Sequence, residues 1–263
     1  MYNVKPKKSL GQHFLNDPDI AKRIVDAVPE TSGCVLEVGP GMGILTQFLE
    51  EKFGEKLHLI EIDGESISFL EKNFSSLRGR TIHGDFLHYS LDKLPSPVTV
   101  VGNFPYFISS QILFRIIDLR NQVDCMVGMF QKEMAERIVS EPGNKTYGIP
   151  SVLTQAYFSG EYLFSVDEHV FTPPPKVKSG VIRLTNRHIE NLNCDPGKFT
   201  YIVRTAFNQR RKTLRNALKS LLPIDFDNTD PVLDLRAERL TVQDYIRLTN
   251  LIFSQNGKTK ENG

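Results

Sequence analysis

The first two-thirds of the chain alternate between short apolar runs and amphipathic segments. Apolar runs predict buried strands, and apolar residues spaced three or four apart predict helices. The predicted strands are Cys34–Val38, Leu57–Ile62, Thr81–His83, Val98–Gly102 and Cys125–Phe130. The predicted helices between and before them are Ile20–Val28, Ser66–Phe74 and Ser110–Asp118. This alternation favours an α/β fold with a parallel sheet that is covered by helices on both faces.

The pattern changes towards the C-terminus. Two more strands, which would close the sheet as an antiparallel pair around a proline-rich bend, are predicted at Tyr162–Val170 and Lys178–Leu184. The helices predicted beyond them are Lys198–Leu222 and Thr241–Phe253. We therefore expect an α/β domain over residues 1–187 and a small all-helical domain over residues 188–263.

Composition limits the classes of protein. The 263 residues are 40% hydrophobic and 24% charged, which is typical of a globular chain and excludes a disordered or collagen-like one. Three widely spaced cysteines suggest neither a disulfide framework nor a CxxC site, so we expect a reducing cytoplasm. No stretch has the roughly 20 apolar residues of a membrane helix, and no apolar core of a secretion signal follows the N-terminal lysines. The histidines lack metal-ligand spacing, so no metal is expected.

A glycine-rich turn follows the first strand of the predicted sheet. Gly39, Gly41 and Gly43 allow the backbone to approach a ligand closely, because glycine has no side chain and tolerates positive φ. A dinucleotide fingerprint, G-x-G-x-x-G, would need a small residue where Ile44 stands, which argues against NAD. The stretch from Glu37 to Thr46 resembles instead the first motif of S-adenosyl-L-methionine-dependent methyltransferases.

Two acids, Glu61 and Asp85, lie at the ends of the next two predicted strands. Open α/β sheets bind ligands at the carboxyl ends of their strands, and an acid after the second strand binds the ribose hydroxyls of a nucleotide. We therefore expect Glu61 to bind the ribose of the cofactor and Asp85 to bind its adenine amino group.

The tetrad Asn103-Phe104-Pro105-Tyr106 follows the fourth strand and resembles the N-x-P-Y signature of enzymes that methylate adenine amino groups. The lone pair of such an amino group is delocalised into the ring, so a site activates it by accepting hydrogen bonds from both N–H groups. We expect the side-chain oxygen of Asn103 and the carbonyl of Phe104 to accept them, with Pro105 helping to fix the direction of that carbonyl. Tyr106 would stack on the extruded base. No strong general base is needed, because the methylated ammonium is acidic enough to lose its proton.

Five segments together resemble the KsgA-type small-subunit rRNA adenine N6-dimethyltransferases. They are Lys7–Asp17, the glycine turn, the tetrad, the proline-rich segment Phe171–Ser179 and the segment Phe207–Arg215. The resemblance extends from about Lys7 to Ile252 and implies a class I S-adenosyl-L-methionine-dependent methyltransferase domain with a Rossmann-like sheet, followed by a small helical domain. It also implies dimethylation of two adjacent adenosines in a hairpin near the 3′ end of bacterial 16S rRNA, late in assembly of the 30S subunit.

The resemblance assigns residues to two sites. Those expected to contact S-adenosyl-L-methionine are His13, Leu15, Gly39, Gly41, Glu61, Asp85 and Asn103. His13 departs from the asparagine of many relatives, so we expect its backbone rather than its side chain to make the contact. Phe171 would cover the face of the target base opposite to Tyr106. Two such aromatic faces would about offset the cost of flipping the base.

A basic segment contrasts with the whole chain, whose formal net charge is +1. Residues 173–220 hold eleven lysines and arginines but two acids, a net +9 that leaves −8 for the rest. On one continuous helix, Arg204, Arg211, Arg215 and Lys219 would share the exposed face. The residues expected to bind RNA phosphates are Arg204, Arg210, Arg211, Lys212, Arg215 and Lys219. The expected partner is 16S rRNA within a 30S subunit or its precursor, bound by a monomer away from any membrane.

Three other functions stay open from sequence. A related large-subunit methyltransferase, of the type that confers macrolide resistance, is disfavoured by the segment Phe207–Arg215. A non-catalytic assembly factor or nucleic-acid-binding protein on the same scaffold is disfavoured by the intact Glu61, Asp85 and tetrad. A dehydrogenase would be revealed by binding of NADH.

Overall fold

The computed structural model describes residues 6–7, 10–222 and 229–254. Lys8 and Ser9 of the N-terminal motif, the link at 223–228 and the tail from residue 255 lie outside the described residues. The chain forms two compact units, one of residues 1–136 and 158–187 and one of residues 137–157 and 188–263.

The first unit is built on a seven-stranded sheet. The strands of this unit are β1 (Phe14–Leu15), β2 (Cys34–Val38), β3 (Leu57–Glu61), β4 (Thr81–His83), β5 (Val98–Asn103), β6 (Val123–Gln131), β7 (Phe158–Val166), β8 (Phe171–Thr172) and β9 (Ser179–Asn186). Within the described residues, seven of these strands form that sheet, and the other two, β1 and β8, pair with each other. The helices of this unit are α1 (Pro18–Asp26), α2 (Thr46–Phe53), α3 (Gly64–Asn73) and α4 (Ser109–Asp118), and α5 (Lys132–Ile138) runs across the boundary between the units.

The order of strands in the sheet is β4-β3-β2-β5-β6-β9-β7. Neighbours from β4 to β6 are parallel, and β9 is antiparallel to both β6 and β7. Every residue of β2 is buried, as expected for a central strand with helices on both faces. The predicted α/β class is therefore confirmed, and so is the antiparallel pair that closes the sheet. A separate antiparallel pair joins β1 to β8.

The seventh strand lies four residues earlier than predicted. The sequence favours Tyr162–Val170, but β7 ends at Val166 and a 3₁₀ turn, Glu168–Val170, follows it. This turn carries the chain from the sheet into the short strand β8, which pairs with β1 instead of with the main sheet.

The second unit is helical. Its helices are α6 (Ile149–Gln155), α7 (Pro196–Asn208), α8 (Leu214–Ala217) and α9 (Val242–Ser254). The prediction of one helix over Lys198–Leu222 is wrong, because α7 ends at Asn208 and the chain turns before α8. Thr213 forms an isolated bridge with Arg236, and the N–H of Leu214 donates to the carbonyl of Leu235. These long-range bonds replace the helical ones.

The segment 137–157 belongs to the second unit, although the sequence places it in a first domain of residues 1–187. The Tyr147 and Phe207 rings lie 6.2 Å apart between centroids. The N–H of Gly143 donates to the carbonyl of Glu238 over 2.7 Å. These contacts tie the segment to residues far along the chain. Within the described residues, no helix is long and apolar enough to cross a membrane.

Candidate active site

A cavity of about 790 Å³ lies in the first unit, at the carboxyl ends of its central parallel strands. Strand order reverses between β2 and β5, and this reversal is where open α/β sheets bind ligands. The cavity wall includes all seven residues predicted to contact the cofactor and all four residues of the tetrad. Its volume is in the range of cofactor sites.

The glycine turn after β2 depends on left-handed backbone. Gly39, Gly41 and Gly43 have φ of +68°, +56° and +78°, a region of backbone conformation that residues other than glycine rarely adopt. A Cβ atom on Gly41 would also lie 2.8 Å from the Phe14 ring, whereas one on Gly39 would meet no protein atom within 4 Å. Gly39 therefore presents bare backbone to the open cavity.

Two carboxylates are held in fixed positions in the cavity wall. Glu61 is buried and accepts hydrogen bonds from the backbone N–H groups of Gly41, Ile62 and Asp63 at 3.2, 2.8 and 2.9 Å. Burial raises the pKa of Glu61, and these three N–H groups oppose that rise. Asp85 accepts from the N–H of Leu87 over 2.9 Å and bonds Nδ1 of His88 over 2.7 Å. Each carboxylate keeps lone pairs with which to accept further bonds.

Glu37 is a third acid in the cavity wall, to which the sequence analysis assigned no role. Its Oε2 accepts from the hydroxyl of Thr46 over 2.7 Å. Burial, together with a smaller contribution from the charge of Glu61, raises the pKa of Glu37 to about 8 against the opposing effect of that hydroxyl. Glu37 could have been found from the sequence, because it is an acid within the otherwise apolar strand β2.

The amide of Asn103 has a defined orientation. Its Nδ2 lies 2.9 Å from the backbone carbonyl of His13, and a carbonyl only accepts, so the nitrogen must be the atom that faces it. The other amide atom, Oδ1, has no hydrogen-bond partner among the described residues and remains an acceptor. The contact with His13 thus settles which end of the amide is available to a ligand.

Phe104 is anchored by two glycines that pair in adjacent strands. Its ring is buried, and Gly102 of β5 lies opposite Gly128 of β6. A Cβ atom on Gly102 would lie 2.7 Å from the ring, and one on Gly128 would lie 2.2 Å from it. The backbone N–H of Phe104 donates to the carbonyl of Met129 over 3.1 Å. This slot fixes the backbone of the tetrad, including the Phe104 carbonyl.

Tyr106 is held by contacts on two sides. Its hydroxyl is 2.5 Å from Oγ of Ser179, and burial raises its pKa. The rings of Tyr106 and His13 are stacked, with centroids 5.6 Å apart and planes at 27°. Nδ1 of His13 lies 2.7 Å from the carbonyl of Pro173, so Nδ1 carries the hydrogen. The side chain of His13 therefore supports the tetrad and the proline-rich segment.

The structure does not bring Phe171 to the cavity. Its side chain is 3% exposed, belongs to the hydrophobic core and is absent from the cavity wall. Phe171 pairs with Leu15 between β8 and β1, and strand alternation turns Phe171 inwards and Thr172 outwards. In this structure Phe171 therefore does not provide the stacking surface that was predicted for the second face of the target base.

The predicted basic face of one helix does not exist, because α7 ends before most of its members. Arg210 donates to the carbonyl of Lys145 over 2.5 Å, and Arg215 pairs with Asp234 at 2.8 Å. The side chains of these two arginines are thus engaged by partners within the second unit. Arg204 is exposed on α7, and three further candidates, Arg211, Lys212 and Lys219, are exposed beyond it.

Comparisons with known proteins show which family this chain resembles. The profile of a family described as ribosomal RNA adenine dimethylase matches residues 3–253. A relative from Cytophaga hutchinsonii, ribosomal RNA small subunit methyltransferase A, is 53% identical over 96% of this chain and 99% of its own length. The crystal structure of a dimethyladenosine transferase from Plasmodium falciparum is 26% identical, covers 93% of this chain and 98% of its own, and has a TM-score of 0.80. That of the 23S rRNA methyltransferase ErmE is 25% identical, covers 91% and 99%, and has a TM-score of 0.65.

Proposed function

Because this chain belongs to the ribosomal RNA adenine dimethylase family, we propose that it dimethylates N6 of two adjacent adenosines in a hairpin near the 3′ end of 16S rRNA. It is an S-adenosyl-L-methionine-dependent rRNA adenine dimethyltransferase. We further propose that its substrate is a 30S subunit or a late precursor of it in the cytoplasm, and that the enzyme acts as a monomer. The main structural support for methylation of an amino group is the orientation of the Asn103 amide, because it leaves Oδ1 available to accept a hydrogen bond from that group.

The cavity wall fits S-adenosyl-L-methionine. Glu61 would accept bonds from the ribose hydroxyls and Asp85 a bond from the adenine amino group, while bare backbone at Gly39 permits close approach. Within the described residues, no cluster of histidine, cysteine, aspartate or glutamate side chains could hold a metal ion. When bound, the cofactor supplies an electrophilic methyl group on a sulfonium.

The acceptor side requires hydrogen-bond acceptors rather than a strong base. Oδ1 of Asn103 and the carbonyl of Phe104 would each accept from one N–H of the target amino group, which draws its nitrogen towards a tetrahedral shape. Pro105 disfavours the α region for Phe104, and the glycine slot holds its ring. Tyr106, held by His13 and Ser179, offers a stacking surface for the flipped base.

Contacts with RNA phosphates would come from exposed cations of the second unit. Arg211 and Lys212 follow α7 in an exposed turn, and Lys219 follows α8. Within the described part of the chain, the side chains of these three residues form neither an ion pair nor a hydrogen bond with another side chain. They are thus better placed to replace RNA counterions than Arg210 and Arg215.

Radiolabelled methyl transfer tests the proposal. The purified protein would be incubated with labelled S-adenosyl-L-methionine and 30S subunits that lack the modification, with 50S subunits and free 16S rRNA as comparisons. Nucleoside analysis should find N6,N6-dimethyladenosine in 16S rRNA of the 30S subunits. Label in 23S rRNA instead would identify a large-subunit enzyme, and absence of label in all three RNAs would refute the proposal.

A further inference from the structure

Phe107 lies at the mouth of the cavity and has no part in the reaction described so far. It follows Tyr106 in the 3₁₀ turn Tyr106–Ile108, which leads from β5 into α4. Its side chain is 60% exposed although it lines the cavity. Isolated exposed apolar residues are common on protein surfaces, so it is the position of this ring and the contacts that hold it, rather than its exposure, that indicate a role.

The ring of Phe107 is packed against the N-terminal segment. A Cβ atom on Gly11 would lie 2.7 Å from its Cδ1 and 3.0 Å from its Cε1. Gly11 also has a φ of +56°, so both its conformation and the close approach favour glycine. The ring is thereby held on one side while most of its surface stays open to solvent. A ring held in advance loses little conformational entropy when a ligand binds to it.

The position of Phe107 in the chain places it on the acceptor side of the cavity. Only Tyr106 separates it from Pro105, and Asn103 ends the strand that leads into the turn. The other large apolar residue of the wall that is more than half exposed, Ile62, follows Glu61 at the end of β3, on the proposed cofactor side. An exposed aromatic ring on the acceptor side is therefore accessible to incoming RNA.

Base flipping creates the need for such a ring. When the target adenosine leaves its stack, the nucleotide next to it loses a stacking partner and stays at the cavity mouth, since the backbone does not enter with the base. Aromatic side chains stack on any base, because every base has a π-face. A ring at the mouth replaces the lost partner and lowers the cost of flipping.

We propose that Phe107 is a second stacking site, which binds the nucleobase adjacent to the target adenosine at the mouth of the cavity. This inference rests on the proposed function and deepens it, because it names a substrate contact outside the methyl-transfer site. In an RNA with two adjacent adenosines, the stacked neighbour is itself a substrate or has just been methylated. Phe107 would therefore bind both states of the target pair.

The test combines variants of Phe107 with an altered RNA. Small subunits would be reconstituted with 16S rRNA whose 3′ segment is synthetic and carries an abasic site on the 5′ or the 3′ side of the single remaining target adenosine. Phe107→Leu keeps an apolar side chain without a π-face, and Phe107→Tyr keeps the ring. With intact RNA, we expect Phe107→Leu to lower kcat/KM for subunits about tenfold, as the loss of one stack implies. The KM for S-adenosyl-L-methionine and the melting temperature should stay unchanged, and Phe107→Tyr should behave as wild type.

The abasic RNA identifies the occupant. An abasic site on one side of the target should lower kcat/KM of the wild type about tenfold and have little further effect on Phe107→Leu. Equal loss in both proteins, or equal activity of Phe107→Leu and wild type on intact RNA, would overturn the inference. Loss of activity in Phe107→Tyr equal to that in Phe107→Leu would also overturn it. These outcomes presuppose methyl transfer by the wild type to intact subunits, so a failure of the proposed function itself would be seen separately.

Discussion

Gly128→Ala should disable the enzyme from a position outside the cavity wall. The added Cβ would lie 2.2 Å from Cε2 of Phe104 and 2.8 Å from Sδ of Met126. Carbon atoms pack at about 3.5–4.0 Å, so the Phe104 ring would have to withdraw by more than about 1 Å. Because the ring is buried, that shift is transmitted to the backbone of the tetrad.

The magnitudes follow from the size of this shift. Overpacking of a core costs about 1–3 kcal/mol, which lowers the melting temperature of a chain of this size by about 2–12 °C. A displacement of about 1 Å at a reacting centre costs on the order of 100-fold in rate. We therefore expect a folded protein whose single-turnover methyl transfer is about 100-fold slower, with cofactor affinity unchanged within a few-fold.

Two variants separate the clash from a general effect of alanine. Gly64→Ala should be nearly neutral, because a Cβ atom there meets nothing within 4 Å and its φ is not left-handed. Adding Phe104→Leu to Gly128→Ala should recover part of the lost stability, because the smaller side chain vacates the overlap. A wild-type rate together with a wild-type melting temperature in Gly128→Ala would refute the slot as the element that positions the tetrad.

Three further predictions concern the acceptor, the RNA contact and pH. Asn103→Ala should abolish most methyl transfer but leave binding of S-adenosyl-L-methionine, measured by calorimetry, within a few-fold; unchanged turnover would exclude Oδ1 as an acceptor. Arg211→Ala should lower the slope of log K for RNA binding against log salt concentration by about 0.7–0.9 per lost phosphate contact. Arg215→Ala should leave this slope unchanged and only slightly reduce the stability of the folded protein. The reverse result would identify Arg215, and not Arg211, as the residue that binds phosphate. The pKa of Glu37 is raised by burial to about 8, so the folded state binds a proton that the unfolded state has lost, and cofactor-free protein should lose stability as pH rises from about 4.5 to about 8. Glu37→Gln should flatten that part of the curve of melting temperature against pH, and parallel curves would contradict the assignment.

The sequence predicted the central sheet well because its signals are local. Cys34–Val38 and Thr81–His83 are short runs with turn residues on both sides, and the strands have those bounds in the structure. The glycine turn and the tetrad meet in one cavity because both follow parallel strands, whose carboxyl ends lie along one edge of the sheet. The parallel topology of the sheet is sufficient to predict that these two motifs meet, and the alternation of strands and helices in the sequence indicates that topology.

Long-range contacts explain where the prediction failed. Apolar residues continue at helical spacing from Phe199 to Leu221, but the polar stretch 209–213 leaves the helix and Leu214 bonds the backbone of Leu235. Nothing within the stretch itself signals a partner 21 residues away. The position of Phe171 differs from its predicted one for another reason. An aromatic residue is equally suited to packing in a hydrophobic core and to stacking on a base, and only the pairing of β8 with β1 shows which of these positions Phe171 occupies.

The N-terminal segment couples the two halves of the site. Leu15 lines the cavity, Phe14 packs against Gly41 of the cofactor turn, and the carbonyl of His13 orients the Asn103 amide. Pairing of β1 with β8 holds Phe14 and Leu15 in place, and the contact of His13 Nδ1 with the Pro173 carbonyl holds His13. Since the amide is free to rotate without the His13 carbonyl, the acceptor geometry forms only when this segment is in position. A change that loosens β1 from β8 should therefore weaken cofactor binding and methyl transfer together, whereas a change confined to Asn103 should lower methyl transfer far more than cofactor binding.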